Sequence, residues 1–368
     1  MIMFEFKKRK SEMRQLKVAI IGQGRSGFSI HGAFFMGNTD KFKVVAIVEH
    51  IEKRKNLAIE RYGNDVKILD DYKDLYGMDL DFVVNASYSH MHYPITKDLL
   101  ENGLNVLSEK PFCKTEEEAD DLIKTAKKNN RILAVFQNSR FASYYVKIKE
   151  IIDSGVLGDL VQVSISFSNY ARRWDWQTLQ SYTGGNLYNT GPHPLDQALQ
   201  IYGEGMPNVK AFMKRVNTFG DAEDYVKILL YGENKPVIDL EISSCQGYNP
   251  FTYNIQASKG ALNGSMTKID WKYFKPEESQ DQNLVYSVDQ PGTDKPAYCS
   301  EKLEWIEKSW EAEAETYGTF QVMTKGFYDM LYDHIVNGKE LTVTAEQVKK
   351  QIAVIEESHR QNPMDVKF

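Results

Sequence analysis

Cysteine is scarce in this chain: Cys113, Cys245 and Cys299 are the only three in 368 residues, widely separated and without Cys-x-x-Cys spacing. That usage excludes a disulfide scaffold and a cysteine-rich zinc site, and it suits a reducing compartment. No apolar run approaches the roughly 18 residues that a membrane span needs. Positive charge is not in excess either, since 45 Lys+Arg stand against 51 Asp+Glu for a net charge of −6. A mildly acidic chain argues against a nucleic-acid backbone as the main partner, because phosphates attract a basic surface. Internal repeats, low-complexity tracts and a Pro/Gly linker are also missing. Residues 1–15 carry Lys7, Lys8, Arg9, Lys10 and Arg14 but lack the apolar stretch of a secretory leader. They read as a basic extension on a cytoplasmic protein.

The length predicts two domains, at about 150 residues each. In the first half, short β-branched runs alternate with amphipathic stretches. Strands are expected at Lys17–Ile21, Phe42–Val48, Phe82–Val84, Val106–Leu107 and Ile132–Phe136, and helices at Lys53–Tyr62, at Tyr93–Asn102 and from Thr115. Strand and helix alternating at this spacing imply right-handed crossovers and a parallel sheet. Acids in the first turn after Thr115 form a capping pattern. Past a helix at 142–153 the period changes to two, at Leu160–Phe167, Val209–Val216, Tyr225–Leu230 and Val237–Ser243. That alternation predicts an antiparallel sheet with one wet face. Two helices, 319–337 and 344–358, close the chain. The domains are accordingly 16–138 and 139–368.

The first strand runs directly into Gly22-Gln23-Gly24-Arg25-Ser26-Gly27, a G-x-G-x-x-G loop. Its glycines allow a tight turn, backbone approach to a pyrophosphate and close packing of helix on strand. The following helix N-terminus offers N–H groups to the anion. Glu49 closes the second strand about 20 residues further on, where an acid takes the adenosine ribose hydroxyls. A carboxylate there repels a 2′-phosphate and favours NAD over NADP, although Lys53 and Arg54 lie close by.

Two further motifs follow: Glu109-Lys110-Pro111 after a sheet strand, and Gly184-Gly185-Asn186-Leu187-Tyr188-Asn189-Thr190-Gly191-Pro192-His193-Pro194-Leu195-Asp196. Together with the glycine loop they resemble the glucose–fructose oxidoreductase / inositol dehydrogenase (Gfo/Idh/MocA) family, over residues 16 to about 360. The resemblance implies an α/β fold: an N-terminal Rossmann parallel sheet and a C-terminal α/β domain with an open, mostly antiparallel sheet. It also implies hydride transfer between a sugar or polyol carbon and NAD at the domain junction. The family's catalytic lysine matches Lys110, its histidine matches His193 and its closing acid matches Asp196. The leading Asp of that segment is replaced by Asn189.

Chemically, oxidising a secondary alcohol needs a base and a positive group for the developing alkoxide. An imidazole suits the first task and an ammonium the second. His193 is therefore expected as base and Lys110 as the polarising group, with the two roles exchangeable. Asp196, one helical turn after His193, either compensates for the charge lost at Asn189 or salt-bridges its own helix.

His90-Met91-His92 has a metal-like spacing without a third ligand cluster, so no metal is expected. His90, His92 and Ser87 are expected to line the cofactor cleft. Glu109 is assigned to the nicotinamide ribose or to an ion pair. Asn138 is assigned to the nicotinamide border, and Arg140 to the interdomain junction. Arg172, Trp174, Asp175 and Trp176 are candidates for sugar contacts, since aromatic faces pack on C–H surfaces and charged groups bind hydroxyls; the alternative is a core tryptophan pair. The substrate class is a sugar, glycoside or cyclitol. Within it, the segments Gly22–Gly27, Ile30-His31-Gly32 and Gly185–His193 resemble a bacterial subgroup that oxidises the glucosyl C3 hydroxyl. Inositol dehydrogenase is the runner-up, and a noncatalytic NAD-binding regulator is the rival of another class. A homo-oligomer through the C-terminal sheet is implied by the resemblance alone.

Overall fold

The computed structural model describes residues 14–279, 281–289, 292, 298–313 and 320–368; the basic extension falls almost wholly outside them. Six short strands build the first sheet: β1 (Leu16–Ile21), β2 (Phe42–Val48), β3 (Lys67–Leu69), β4 (Phe82–Asn85), β5 (Val106–Ser108) and β6 (Leu133–Val135). They lie in the order β3-β2-β1-β4-β5-β6, every pair parallel. The inner strands are apolar on both faces because helices cover both sides. Edge strand β3 was not expected, since three residues with an exposed lysine carry no readable period.

A wide helical segment, Arg25–Gly32, continues into α1 (Ala33–Met36); α2 (Glu52–Tyr62), α3 (His92–Glu101) and α4 (Glu116–Lys128) follow. Thr115 closes a capping box with Glu118 at the start of α4, as its sequence predicts. A single turn, Asn138–Phe141, leads into α5 (Ser143–Asp153).

The second sheet has eight strands: β7 (Leu160–Ser166), β8 (Asn208–Lys214), β9 (Tyr225–Tyr231), β10 (Val237–Ser243), β11 (Tyr253–Ala257), β12 (Gly260–Gly264), β13 (Lys268–Tyr273) and β14 (Ile306–Glu311). Their order is β14-β13-β12-β11-β7-β10-β9-β8, and only β7 with β10 is parallel. The last four were missed: their outer face is polar, so few apolar residues mark them. Between β7 and β8 lie α6 (Asn186–Asn189) and α7 (Pro192–Tyr202); α8 (Phe320–Asn337) and α9 (Ala345–Gln361) end the chain.

The two closing helices return to the first half. Tyr328 of α8 stacks on Phe34 with ring centroids 4.6 Å apart. On α9, Lys349 reaches Asp120 of α4 at 3.1 Å. No helix among the described residues is long and apolar enough to cross a membrane. Cys113, Cys245 and Cys299 are all free.

Candidate active site

The carboxyl ends of the parallel strands are knitted into one floor. Ala86 N–H donates to Ile21 O at 3.0 Å, Glu109 N–H to Asn85 O at 3.0 Å, and Phe136 N–H to Ser108 O at 2.9 Å. Ligands of open α/β sheets bind outside such an edge. Here it borders a cavity of about 550 Å³ between the two halves, lined from the first half by Gly22, Gly24, Arg25, Ser26, Glu49, Ser87, His92, Glu109, Lys110 and Asn138. Trp176, Gln177, Asn189, Thr190 and His193 line it from the second half.

The glycine loop meets its three requirements separately. Gly22 has φ +85°, and a Cβ there would stand 2.5 Å from Ala86 O. A Cβ on Gly27 would stand 1.9 Å from Gly22 O, so helix and strand could not close. Gly24 has nothing within 4 Å of its Cβ position, which leaves an open cradle. Gly27 and Gln23 shape the loop from behind and do not line the cavity. Gln23 N–H donates to Glu49 Oε2 at 2.8 Å, and the N–H groups of His50 and Ile51 donate to Oε1 at 3.0 and 2.9 Å. The carboxylate is thus aimed, with Arg54 3.6 Å away.

Lys110 and His193 come from separate halves into this one cavity. Lys110 Nζ donates to the backbone carbonyl of Asn189 at 2.6 Å. The Asn189 side chain instead accepts from Gln177 Nε2 at 2.9 Å, and Gln177 Oε1 accepts from Arg173 at 2.5 Å. His193 Nδ1 and both polar atoms of Asn138 are buried without a hydrogen-bond partner among the described residues. Burial, and secondly the Lys110 charge, push the His193 pKa down to about 3. Burial likewise lowers Lys110, helped by Arg25 and Arg173 and opposed by Glu109.

Several expected roles change. Asp196 does not serve His193: its Oδ2 accepts from Arg140 Nε at 2.9 Å and its Oδ1 from the same guanidinium. The pair is buried, because Arg140 stands on the turn Asn138–Phe141 after β6, against which α7 packs. Glu109 spends one oxygen on His31 and the other on the Lys110 backbone. His92 Nδ1 lies 2.7 Å from Pro111 O and its Nε2 lies 3.2 Å from Ser87 O, so the ring braces two loops as well as facing the cavity. His90 stays outside the lining and packs edge-on against Tyr182 at 4.7 Å.

Of the aromatic stretch, only Trp176 reaches the cavity. Trp174 is 77% exposed and meets Phe219, whose ring also receives the Arg172 guanidinium at 4.9 Å. Asp175 caps the next turn and pairs with Arg173. Gln177 and Tyr88, which line the cavity, were missed. Gln177 sits in no motif, and Tyr88, within the segment that carries His90 and His92, was given no role. Among the described residues no group of three or more His, Cys, Asp or Glu side chains is arranged for a metal.

A parallel sheet with a glycine cradle, joined to an antiparallel sheet that completes the cavity, defines a two-domain dinucleotide-binding oxidoreductase fold. Residues 16–137 match the profile described as oxidoreductase family, NAD-binding Rossmann fold, and residues 145–263 match the GFO/IDH/MocA C-terminal domain. The chain belongs to the Gfo/Idh/MocA oxidoreductase family. The scyllo-inositol 2-dehydrogenase (NADP(+)) IolW of Bacillus subtilis (strain 168) is 26% identical over 364 residues, covering 95% of this chain and 94% of its own. The D-glucoside 3-dehydrogenase of Escherichia coli (strain K12) is 31% identical over 202 residues, 53% of this chain and 56% of its own. The WlbA dehydrogenase of Bordetella pertussis, solved with NADH and UDP-GlcNAcA, shares the fold with a TM-score of 0.78 at 18% identity, covering 95% of both chains.

Proposed function

We propose that this protein is an NAD-dependent dehydrogenase that moves a hydride between nicotinamide and a ring secondary hydroxyl of a sugar or glycoside. The reading rests on one observation: Lys110 and His193 meet in a single cavity beside the glycine cradle. Gly22, Gly24, Arg25, Ser26 and Glu49 would hold NAD, which when bound supplies the hydride acceptor. The aimed Glu49 carboxylate supports NAD over NADP. Asn138, with its free buried amide, is a partner for the nicotinamide carboxamide.

The electrostatics support the exchanged assignment of the two polar groups. His193, held neutral, lines the cavity and would hydrogen-bond the reacting hydroxyl through its imidazole. Lys110, its pKa lowered by burial, takes the hydroxyl proton on Nζ. The Asn189 carbonyl keeps that Nζ in place, and Gln177 holds Asn189. Trp176 and Tyr88 offer apolar faces to a sugar ring, and Thr190 a hydroxyl.

The glucoside-oxidising relative supports oxidation of the glucosyl C3 hydroxyl. The inositol-oxidising relative, matched over nearly the whole chain, keeps inositol as the second substrate to assay. Retention of both Lys110 and His193 weighs against a noncatalytic regulator. A broad hollow of about 470 Å³ along β11–β14, lined by Asn254, Asn263, Asp270, Lys272 and Ser309, supports assembly through that sheet. The test is incubation with NAD and a panel of glycosides, sugars and inositols, following both NADH absorbance and keto-sugar product. Lys110→Ala is expected to abolish turnover and leave NAD affinity intact; retained turnover refutes the assignment.

A further inference from the structure

A buried polar chain leads from the Lys110 backbone to helix α8. His31 is fully enclosed, at 0% exposure. Its Nδ1 is 2.7 Å from the Tyr328 hydroxyl and its Nε2 is 3.0 Å from Glu109 Oε1. Glu109 Oε2 in turn accepts the Lys110 backbone N–H at 2.9 Å. Phe136 packs edge-on against the His31 ring at 4.5 Å, and Phe34 and Phe35 clasp Tyr328. Hydrogen bonds and packing therefore fix the same geometry. A neutral imidazole donates from Nε2 to the carboxylate and accepts the tyrosine O–H at Nδ1; an imidazolium donates at both. The carboxylate stays oriented in either state.

We propose, resting on the reading of Lys110 as proton acceptor, that Tyr328, His31 and Glu109 form a positioning relay coupling helix α8 to Lys110. In it Glu109 ties the Lys110 backbone to His31 and places a negative charge beside the lysine. Both carboxylate oxygens are already engaged within the protein, and one of the engaging groups answers to a helix from the far end of the chain.

The charges around it agree. Burial and the charges of Arg25 and Arg173 lower the Lys110 pKa, and the Glu109 charge opposes them in part. Glu109 faces His31, Lys110 and His92; burial raises its pKa, but the His31 bond and these charges outweigh it and hold it at about 2. His193 faces Lys110 and Glu109. Removing the Glu109 charge therefore lets the Lys110 pKa fall.

The test is direct titration of Lys110 in the full-length protein loaded with NAD. The pH dependence of its acylation by acetic anhydride is read by mass spectrometry, beside an NAD-binding titration of each variant. Glu109→Gln is expected to lower the Lys110 pKa by about one unit or more, with NAD affinity kept within about threefold. His31→Leu is expected to move the titration the same way by less. His31→Gln, which keeps an N–H where Nε2 stands, is expected to restore it, and this pair carries the comparison should Glu109→Gln not fold. An unmoved Lys110 titration, or a loss of NAD affinity of about tenfold or more in Glu109→Gln, overturns the relay. Neither readout needs turnover, so a protein that oxidises no sugar would lose the functional reading while this test still decides the relay.

Discussion

Asp196→Asn separates two roles for an acid one helical turn from His193. Asp196 and Arg140 are 1% and 8% exposed at their side chains, and the guanidinium meets both carboxylate oxygens. Arg140 also donates to Thr342 O at 2.9 Å and to Gln347 at 2.5 Å, so it joins the turn after β6 to α7 and to the start of α9. Breaking one partner of a buried pair strands the other charge and costs about 3–5 kcal/mol. The asparagine keeps one acceptor, so the lower end of that range is expected. A chain of this length gains about 0.8 kcal/mol per kelvin of unfolding entropy if it melts in one step, so Tm should fall by about 4 °C. Arg140→Met combined with Asp196→Leu should recover most of the loss, because a buried pair can be replaced by packed apolar groups at little cost. The assays are calorimetric melting of the three proteins and the pH profile of kcat/KM for Asp196→Asn. A Tm within about 1 °C of the parent together with a displaced pH profile would refute the reasoning and return Asp196 to His193.

Gln177→Leu removes the donor that holds Asn189 and should raise KM for the sugar about tenfold with NAD affinity unchanged, measured by steady-state kinetics and binding titration. Glu49→Ala removes the carboxylate that repels a 2′-phosphate and should weaken NAD binding by about tenfold while narrowing the preference over NADP. It also orphans three backbone N–H groups, so a lower Tm should accompany it. His193, with its pKa lowered to about 3, stabilises the fold fully above its unfolded pKa near 6.5, and that contribution is lost as pH falls from there toward 3. His193→Asn should therefore show a shallower loss of stability over that interval in urea titrations; an unchanged slope would contradict it.

Strands whose burial is two-sided were legible, because a continuous apolar run is forced on them; β1, β2 and β4 are such strands. Strands β11 to β14 were not, since at five or six residues each they hold too few apolar positions for the alternation to be read. Within the site, motif residues such as Gly24, Lys110 and His193 could be named in advance, because backbone approach and proton chemistry restrict their type. Gln177 could not, because an amide that orients another amide is common on any surface. His31 was noticed only as part of a family-like segment. Its partner Tyr328 is far along the chain, and no local pattern joins them.

Sequence by itself determined the parallel glycine-loop sheet, the later antiparallel sheet and the chemical types available to the cavity. Those follow from local rules: the periodicity of burial, glycine where a Cβ would collide, and an acid ending β2. Only the tertiary structure decided which charges neutralise which. Asp196 went to Arg140, Glu109 to His31, and the aromatic stretch left Trp174 outside and Trp176 within. Electrostatic pairing depends on distances of a few ångströms between segments remote in sequence, and those distances exist only once both sheets have packed.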